Sequence, residues 1–343
     1  MSRRDALVAA LRLRARRCRR RGGILMYHCI TEDTVDPWAI CVSPHAFDEQ
    51  MTVLAHARAA VDLGDFAGDD AYTRTGARIA VTFDDGYLDN LTTALPILER
   101  HEIPATIFVI GNGVGRTREF WWDALQRALL TGPLPEALDF PFGSAPTGYT
   151  LDERPGDDEA LAGWRADFDV AVTSRQKLFR ALWDAIVVLE PTEQDDAIDH
   201  LLAWAGRPTS PPTPRPAVDA EQFAELAAHP LITIGSHTLD HPSLTDLPPT
   251  RQHAQILEGR RTIEELAGHP VTRFSYPYGR HDDTARAAVR DIDIDIACSS
   301  VPVPAITGDD RHALPRLQPT EMDGDRFTRR LREDYGLLTS TTR

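Results

Sequence analysis

Five short, almost continuously apolar runs leave this chain few folds to choose from. GILMY (23–27), ARIAVTF (77–83), PATIFVI (104–110), PLITIGS (230–236) and TRFSYPY (272–278) read as buried strands. Strands with no polar alternate face are those covered on both sides, the situation of a parallel sheet. Helical patterns lie between several of them. SPHAFDEQMTVLAHA opens on Ser43 as an N-cap, LDNLTTALPILERH follows residue 87, and QHAQILEGRRTIEELAG has apolar residues at helical spacing with Gly268 at its end. Strand and helix in alternation predict an α/β fold with a mostly parallel sheet, and a closed barrel covers both strand faces naturally.

The alternation stops between residues 116 and 218. WWDALQRALL, QKLFRALWDAIVVL and EQDDAIDHLLAWAG replace it, and the region ends in the proline-rich RPTSPPTPRP. These features predict a helical insertion subdomain. Five of the six tryptophans lie there (Trp121, Trp122, Trp164, Trp183 and Trp204), and on amphipathic helices they are expected in the core. Asp219 and Gln222 form a capping-box pattern that restarts a helix before PLITIGS. The expected organisation is a basic arm over 1–21, a barrel over 22–115 and 219–335, and the insertion over 116–218. Insertions at the active face of a barrel usually carry specificity, which is the role expected of this one.

Charge separates the arm from the rest. Of 37 basic residues nine lie in the first 21 positions, against one of the 52 acidic residues, and the whole chain carries a formal −15. That balance argues against a nucleic-acid partner. The arm's only apolar run, Ala6 to Leu11, is too short to span a membrane and lacks a small-residue cleavage site. It reads as a solvated terminus or a peripheral contact with anionic lipid. Cys18, Cys29, Cys41 and Cys298 form no C-x-x-C and no metal-ligand spacing, so a reduced, cytoplasmic protein is expected.

Two strand ends carry chemistry. ARIAVTF stops at the adjacent carboxylates Asp84 and Asp85, followed by Gly86, and PLITIGS stops at HTLDH, with His237 and His241 four residues apart. D-D-G is also a common turn, and two histidines fall at this spacing by chance. In an α/β fold, however, functional groups gather at the carboxyl ends of strands. If the chain turns helically after His237, both imidazoles face one way and bind one cation. A divalent ion would neutralise one of the paired carboxylates as a ligand and leave its neighbour to act as a base.

On these residues the sequence resembles the polysaccharide deacetylase superfamily, also called the NodB-homology or carbohydrate esterase family 4 group. TFDDG (82–86) resembles its first motif and HTLDH (237–241) its H-[ST]-x-x-H second motif. The resemblance implies a distorted (β/α)7-type TIM-like barrel and removal of an N-acetyl group from a sugar. It implies Asp84 as catalytic base, and Asp85, His237 and His241 as metal ligands. The third motif, R-x-P-[YF], appears as Ser275, Tyr276, Pro277, Tyr278, so its arginine is absent. Pro277 and Tyr278 remain as substrate-binding residues, and the Tyr278 N–H is expected to help hold a developing oxyanion. Arg273, Arg280 and Arg316 are candidate substitutes for the arginine. Arg316 is preferred, since a cation beside Asp84 would keep it ionised. The family's L-x-H general acid is missing near the C-terminus. GILMYHCI resembles the opening of a circularly permuted subset, which makes His28 the acid in place of His312.

Two histidines, one carboxylate and an open position favour Zn2+, while Fe, Co or Ni also suit such a set. The expected activity is a metal-dependent de-N-acetylation of an N-acetylated sugar-containing small molecule or a lipid-linked intermediate. The alternatives are hydrolysis of another C–N bond in a secondary-metabolite pathway and a non-catalytic sugar-binding protein, the latter favoured by the missing arginine. The sequence sets no oligomeric state.

Overall fold

The computed structural model describes residues 21–33, 35–67, 78–143, 148–152, 156–157, 159–209 and 215–338. Nearly all of the basic arm lies outside them, and Arg21 already belongs to the first strand. The chain divides into two compact units, one formed by 1–32, 40–115 and 217–343, the other by 33–39 and 116–216. No described helix is long and apolar enough to cross a membrane.

The first unit is an α/β fold built on a curled sheet of seven strands, the distorted barrel expected from the sequence. Among the described residues the strands in chain order are β1 (Arg21–Tyr27), β2 (Ile79–Phe83), β3 (Ala105–Val109), β4 (Ala137–Asp139), β5 (Gly148–Thr150), β6 (Ile232–Ser236), β7 (Arg273–Ser275), β8 (Ile296–Cys298) and β9 (Ala305–Ile306). The large sheet runs β8-β7-β6-β3-β2-β1-β9, with every pair parallel except β1 with β9. One further segment, 314–317, joins its two sides. Leu314 pairs in parallel with Cys298 of β8 through bonds to Ala297 and Ser299, and Leu317 with Leu25 of β1 through bonds to Ile24 and Met26. The sheet therefore closes on itself through a stretch too short to register as a strand.

Alternation along the strands separates two cores. Leu25, Tyr27, Val81, Phe83, Ile107, Val109 and Ile234 pack outward with Phe47, Leu54, Leu98, Phe223 and Ile263 of the covering helices. Ile24, Ala80, Phe108, Ile296, Cys298, Ala305 and Leu314 cluster on the other side. The near-continuous apolar runs are thus two faces of one sheet, each with its own partner.

The helices begin and end where side-chain chemistry predicts. Ser43 caps Pro44–His56 by accepting from Ala46 N, Asp219 and Gln222 close a capping box on Ala220–Ala228, and Gly268 ends Pro249–Ala267 at φ 72°. The run 272–278 is strand only as far as Ser275. Pro277 has no N–H to continue the ladder, and Tyr278 turns to φ 57°.

The second unit contains the helices Trp121–Leu129, Ser174–Ile186 and Pro191–Trp204, with the β4–β5 ribbon. Trp121, Trp122 and Trp164 are buried, whereas Trp183 and Trp204 are half-buried. The sequence boundary needs correction at 33–39, which belongs to this unit and not to the barrel. Trp38 packs against Trp183 with ring centroids 4.1 Å apart and planes tilted by 46°, and Asp33 pairs with Arg215 at 2.5 Å. Both contacts join positions more than a hundred residues apart, which local periodicity does not register.

Gly235 of β6 lies against Phe108 of β3, and a Cβ there would stand 2.4 Å from the ring. Gly235→Ala should cost about 1–3 kcal/mol through overpacking. Urea denaturation should show this as a lowered midpoint with an unchanged slope.

Candidate active site

Strand register brings the sequence-distant candidates into one layer. Tyr27 pairs with Phe83, so His28 and Asp84 leave neighbouring strands together. Ser236 pairs with Phe274 and Ser275 with Cys298, which sets His237 beside Ser275. All of these are carboxyl ends of parallel strands, where the side chains of an α/β fold converge.

Asp84 and Arg316 form the centre of the layer, 3% and 1% exposed. Arg316 Nη1 donates to Asp84 Oδ1 at 2.7 Å and Nη2 to Oδ2 at 2.6 Å, a bidentate pair. The remaining guanidinium donors are also satisfied, Nε by the Ser299 carbonyl at 3.0 Å and Nη2 by Ser275 Oγ at 2.7 Å. Phe108 places its ring 5.5 Å from Arg316 Cζ. Burial alone would raise the Asp84 pKa. The charge and hydrogen bonds of Arg316, aided by His237, outweigh it and hold the carboxyl far below its ordinary range.

Of the three arginines that could replace the one absent at position 275, only Arg316 meets Asp84. Arg273 bonds Asp295 and Thr272, and Arg280 bonds Ser243 and Asp246. Ser275 stands where the arginine was expected, and its hydroxyl lies between Arg316 and Asp84 Oδ2, 3.3 Å from the latter.

Asp85, His237 and His241 face one point. Asp85 Oδ1 is 3.5 Å from each Nε2, and the two Nε2 atoms are 3.1 Å apart. A tetrahedral ion bonded at about 2.1 Å would hold its donors about 3.4 Å apart. The donor types and spacing therefore fit one divalent cation, and all three residues are buried. His237 Nδ1 lies 2.7 Å from the Ser275 carbonyl, which accepts its N–H and leaves Nε2 unprotonated, the tautomer a metal ligand needs. Burial pushes both imidazoles below their ordinary pKa, so both are neutral, as ligands must be.

The turn joining the histidines is not the helical one expected. Thr238 and His241 adopt φ 66° and 59°, and Thr238 Oγ1 accepts from His241 N at 3.0 Å while donating to the His237 carbonyl at 2.5 Å. Spacing of four residues brings both imidazoles to one point here through left-handed residues at 238 and 241. Asp85 and Tyr278 also have positive φ, so four of the eight non-glycine residues with this conformation among those described lie at the site.

Pro277 is buried, and the half-buried Tyr278 sets its ring edge against His241, centroids 4.6 Å apart, with its hydroxyl 3.2 Å from His241 Nδ1. The sequence offered Tyr278 as a substrate-binding residue and its N–H to an oxyanion, whereas its phenol addresses a candidate ligand. A tyrosine beside Pro277 was the available signal. His28 is half-buried, with a buried Nδ1 that has no hydrogen-bond partner, and burial pushes its pKa down to about 4 despite the opposing effect of Asp84. His312 is occupied elsewhere, its Nε2 2.9 Å from the Ile294 carbonyl.

Comparison with known proteins gives a consistent family. The polysaccharide deacetylase family model matches residues 71–135 and 202–297, passing over most of the helical unit. A Bacillus subtilis (strain 168) protein, YxkH, whose name assigns it provisionally to the polysaccharide deacetylases, is 29% identical over 108 residues. That match covers 31% of this chain and 38% of the relative's length. The fold is shared with Streptococcus pyogenes deacetylase PplD (TM-score 0.51, 14% identity, 91% of this chain and 98% of that one). It is shared also with IcaB from Ammonifex degensii (0.53, 17%, 90% and 94%). A polysaccharide deacetylase from Bacillus cereus has the same fold (0.55, 16%, 90% and 68%).

Replacing Arg316 tests the central pair. Arg316→Met leaves a buried, uncompensated carboxylate and should destabilise by about 3–5 kcal/mol at neutral pH. In the native protein the depressed Asp84 contributes stability that is complete above the ordinary carboxylate range and is lost as pH falls below it. In the variant burial is opposed only by the smaller effects of His237 and His28, Asp84 takes up a proton more readily, and the stability gap should narrow as pH falls through that range. Denaturation of both proteins between pH 7 and pH 4 checks the sign.

Proposed function

Because this chain carries a domain of the polysaccharide deacetylase family, we propose that it is a metal-dependent hydrolase removing an N-acetyl group from an N-acetylated sugar. The observation that carries this reading is the Asp85, His237, His241 triad beside an ionised, arginine-held Asp84. A Zn2+ ion held by the triad would supply Lewis-acid polarisation of the amide carbonyl and a water of lowered pKa.

The chain's own groups then divide the work. Asp84 stays ionised under Arg316 and accepts the proton of the attacking water. Its bidentate partner fixes which way the carboxylate faces, and Ser275 fixes the partner. Tyr278, following Pro277 at φ 57°, offers its N–H to the oxyanion and its phenol to His241. His28 is assigned to protonate the departing amine. Its place beside Asp84 in the register and its unpartnered Nδ1 support that role, while its low pKa opposes a standing imidazolium.

The substrate is proposed to be an N-acetylated sugar in a small or lipid-linked intermediate met in the cytoplasm, by the composition argument given above. A pure sugar-binding role is disfavoured by the replacement of the motif arginine at Asp84 by another arginine, since a binder needs no oriented base.

Acetate release from a panel of N-acetylated sugars, with and without chelator, tests the activity. Protein purified without chelator should hold about one divalent ion per chain, with His237→Ala and His241→Ala losing most of it. Full occupancy in both variants would remove the metal assignment. Asp84→Asn should retain the metal and lose turnover, while Asp85→Asn should weaken the metal itself. His28→Ala should lower kcat by about 10² to 10⁴ with occupancy intact. A dead His312→Ala beside a normal His28→Ala would transfer the acid to His312.

A further inference from the structure

The turn that delivers both histidines is held from outside. A β-branched residue in the left-handed region, as Thr238 is, is strained and persists only where its surroundings impose it. The imposing contacts come from the helix Pro249–Ala267 and the turn after β3. Leu239 N donates to the Gln255 carbonyl at 3.0 Å and Asp240 N to Gln255 Oε1 at 3.0 Å. Gln255 Nε2 returns a bond to Asp240 Oδ2 at 2.7 Å, and Asn112 Nδ2 donates to Asp240 Oδ1 at 2.6 Å. Backbone N–H groups of Gly111 and Asn112 donate to the carbonyls of Thr238 and Leu239 at 2.9 and 2.8 Å.

This closeness depends on Gly259. A Cβ there would lie 2.2 Å from the Thr238 carbonyl carbon and 2.5 Å from Leu239 N, backbone atoms that cannot yield as a side chain would. Asp240 sits between two candidate ligands in sequence, yet both of its oxygens are taken by neutral amides, and it is not in the ligand cluster.

We propose that Gln255 and Asp240 form a positioning clamp for the two-histidine metal site, with Gly259 providing the room for it. The reciprocal amide–carboxylate pair holds residues 238–241 in the ligating conformation, so Gln255 governs metal affinity without touching the metal. This rests on the reading of Asp85, His237 and His241 as ligands. Removing the clamp lets the strained turn relax, and the ion must then supply the energy of reordering it.

The test uses the full chain stripped of metal and titrated with Co2+ against a chromogenic chelator, alongside the melting temperature of each metal-free protein. Gln255→Ala and Asp240→Ala should each weaken Co2+ binding about 10- to 100-fold, the range for residues that orient ligands. The double variant should lose little more than either single one, since both break the same pair. Gln252→Ala is the control. Gln252 is on the same helix, 2% exposed, and its amide bonds the Leu247 carbonyl and Asp282. It should lower the melting temperature and leave Co2+ affinity within about twofold. Unchanged affinity in Asp240→Ala and Gln255→Ala would overturn the clamp, as would an equal loss in Gln252→Ala. Asp240→Ala, only partly buried, decides the matter if Gln255→Ala does not fold. A native protein that binds no Co2+ would remove the metal reading and the clamp together. Native binding with unaffected variants removes the clamp alone.

Discussion

A single buried ion pair, Arg316 on Asp84, ties the shape of this barrel to its chemistry. Isolated, either charge would be very costly inside the fold. Together they are tolerated because both carboxylate oxygens are engaged and the guanidinium also meets Ser275 Oγ and the Ser299 carbonyl. Arg316 lies in the segment that bridges β8 and β1, so the residues that close the sheet also neutralise the acid at its centre. Closing the barrel and setting the ionisation of Asp84 are one structural event.

The candidate metal triad depends on strain in the same way that the ion pair depends on closure. Asp85, Thr238, His241 and Tyr278 all take left-handed backbone conformations, and three of them carry the side chains that converge on one point or on a candidate ligand. Regular strands deliver His237 and Ser275 by register alone, whereas His241 reaches the site only through an irregular turn. The site thus combines rigid placement from the sheet with loop placement that must be maintained by packing.

How much of this was legible in the sequence follows from the range of each interaction. The strands with continuous apolar runs, the capped helices and the motif pairs were readable, because each is a pattern within a few residues. Arg316 was readable only as one of three candidates, since no local rule says which arginine meets an acid 232 positions earlier. The strand β8 went unseen because it is only three residues long, Ile296, Ala297 and Cys298, all buried. So short a run shows no period, and the acid-rich stretch just before it, 291–295, resembles a surface loop. The segment 33–39 was misplaced because its partners Trp183 and Arg215 lie in a distant part of the chain. The turn 238–241 has a spacing that suits a helix, and only its contacts with Gln255 and Gly259 show otherwise.

The closing segment also fixes an order of events during synthesis. Asp84 leaves the ribosome 232 residues before Arg316, an interval of about 10–50 s at ordinary elongation rates. All three candidate metal ligands emerge within that interval, while the acid still lacks its counter-charge. A chain halted before residue 316 thus carries the candidate ligand set complete in sequence but lacks both the segment that closes the sheet and the cation that offsets Asp84.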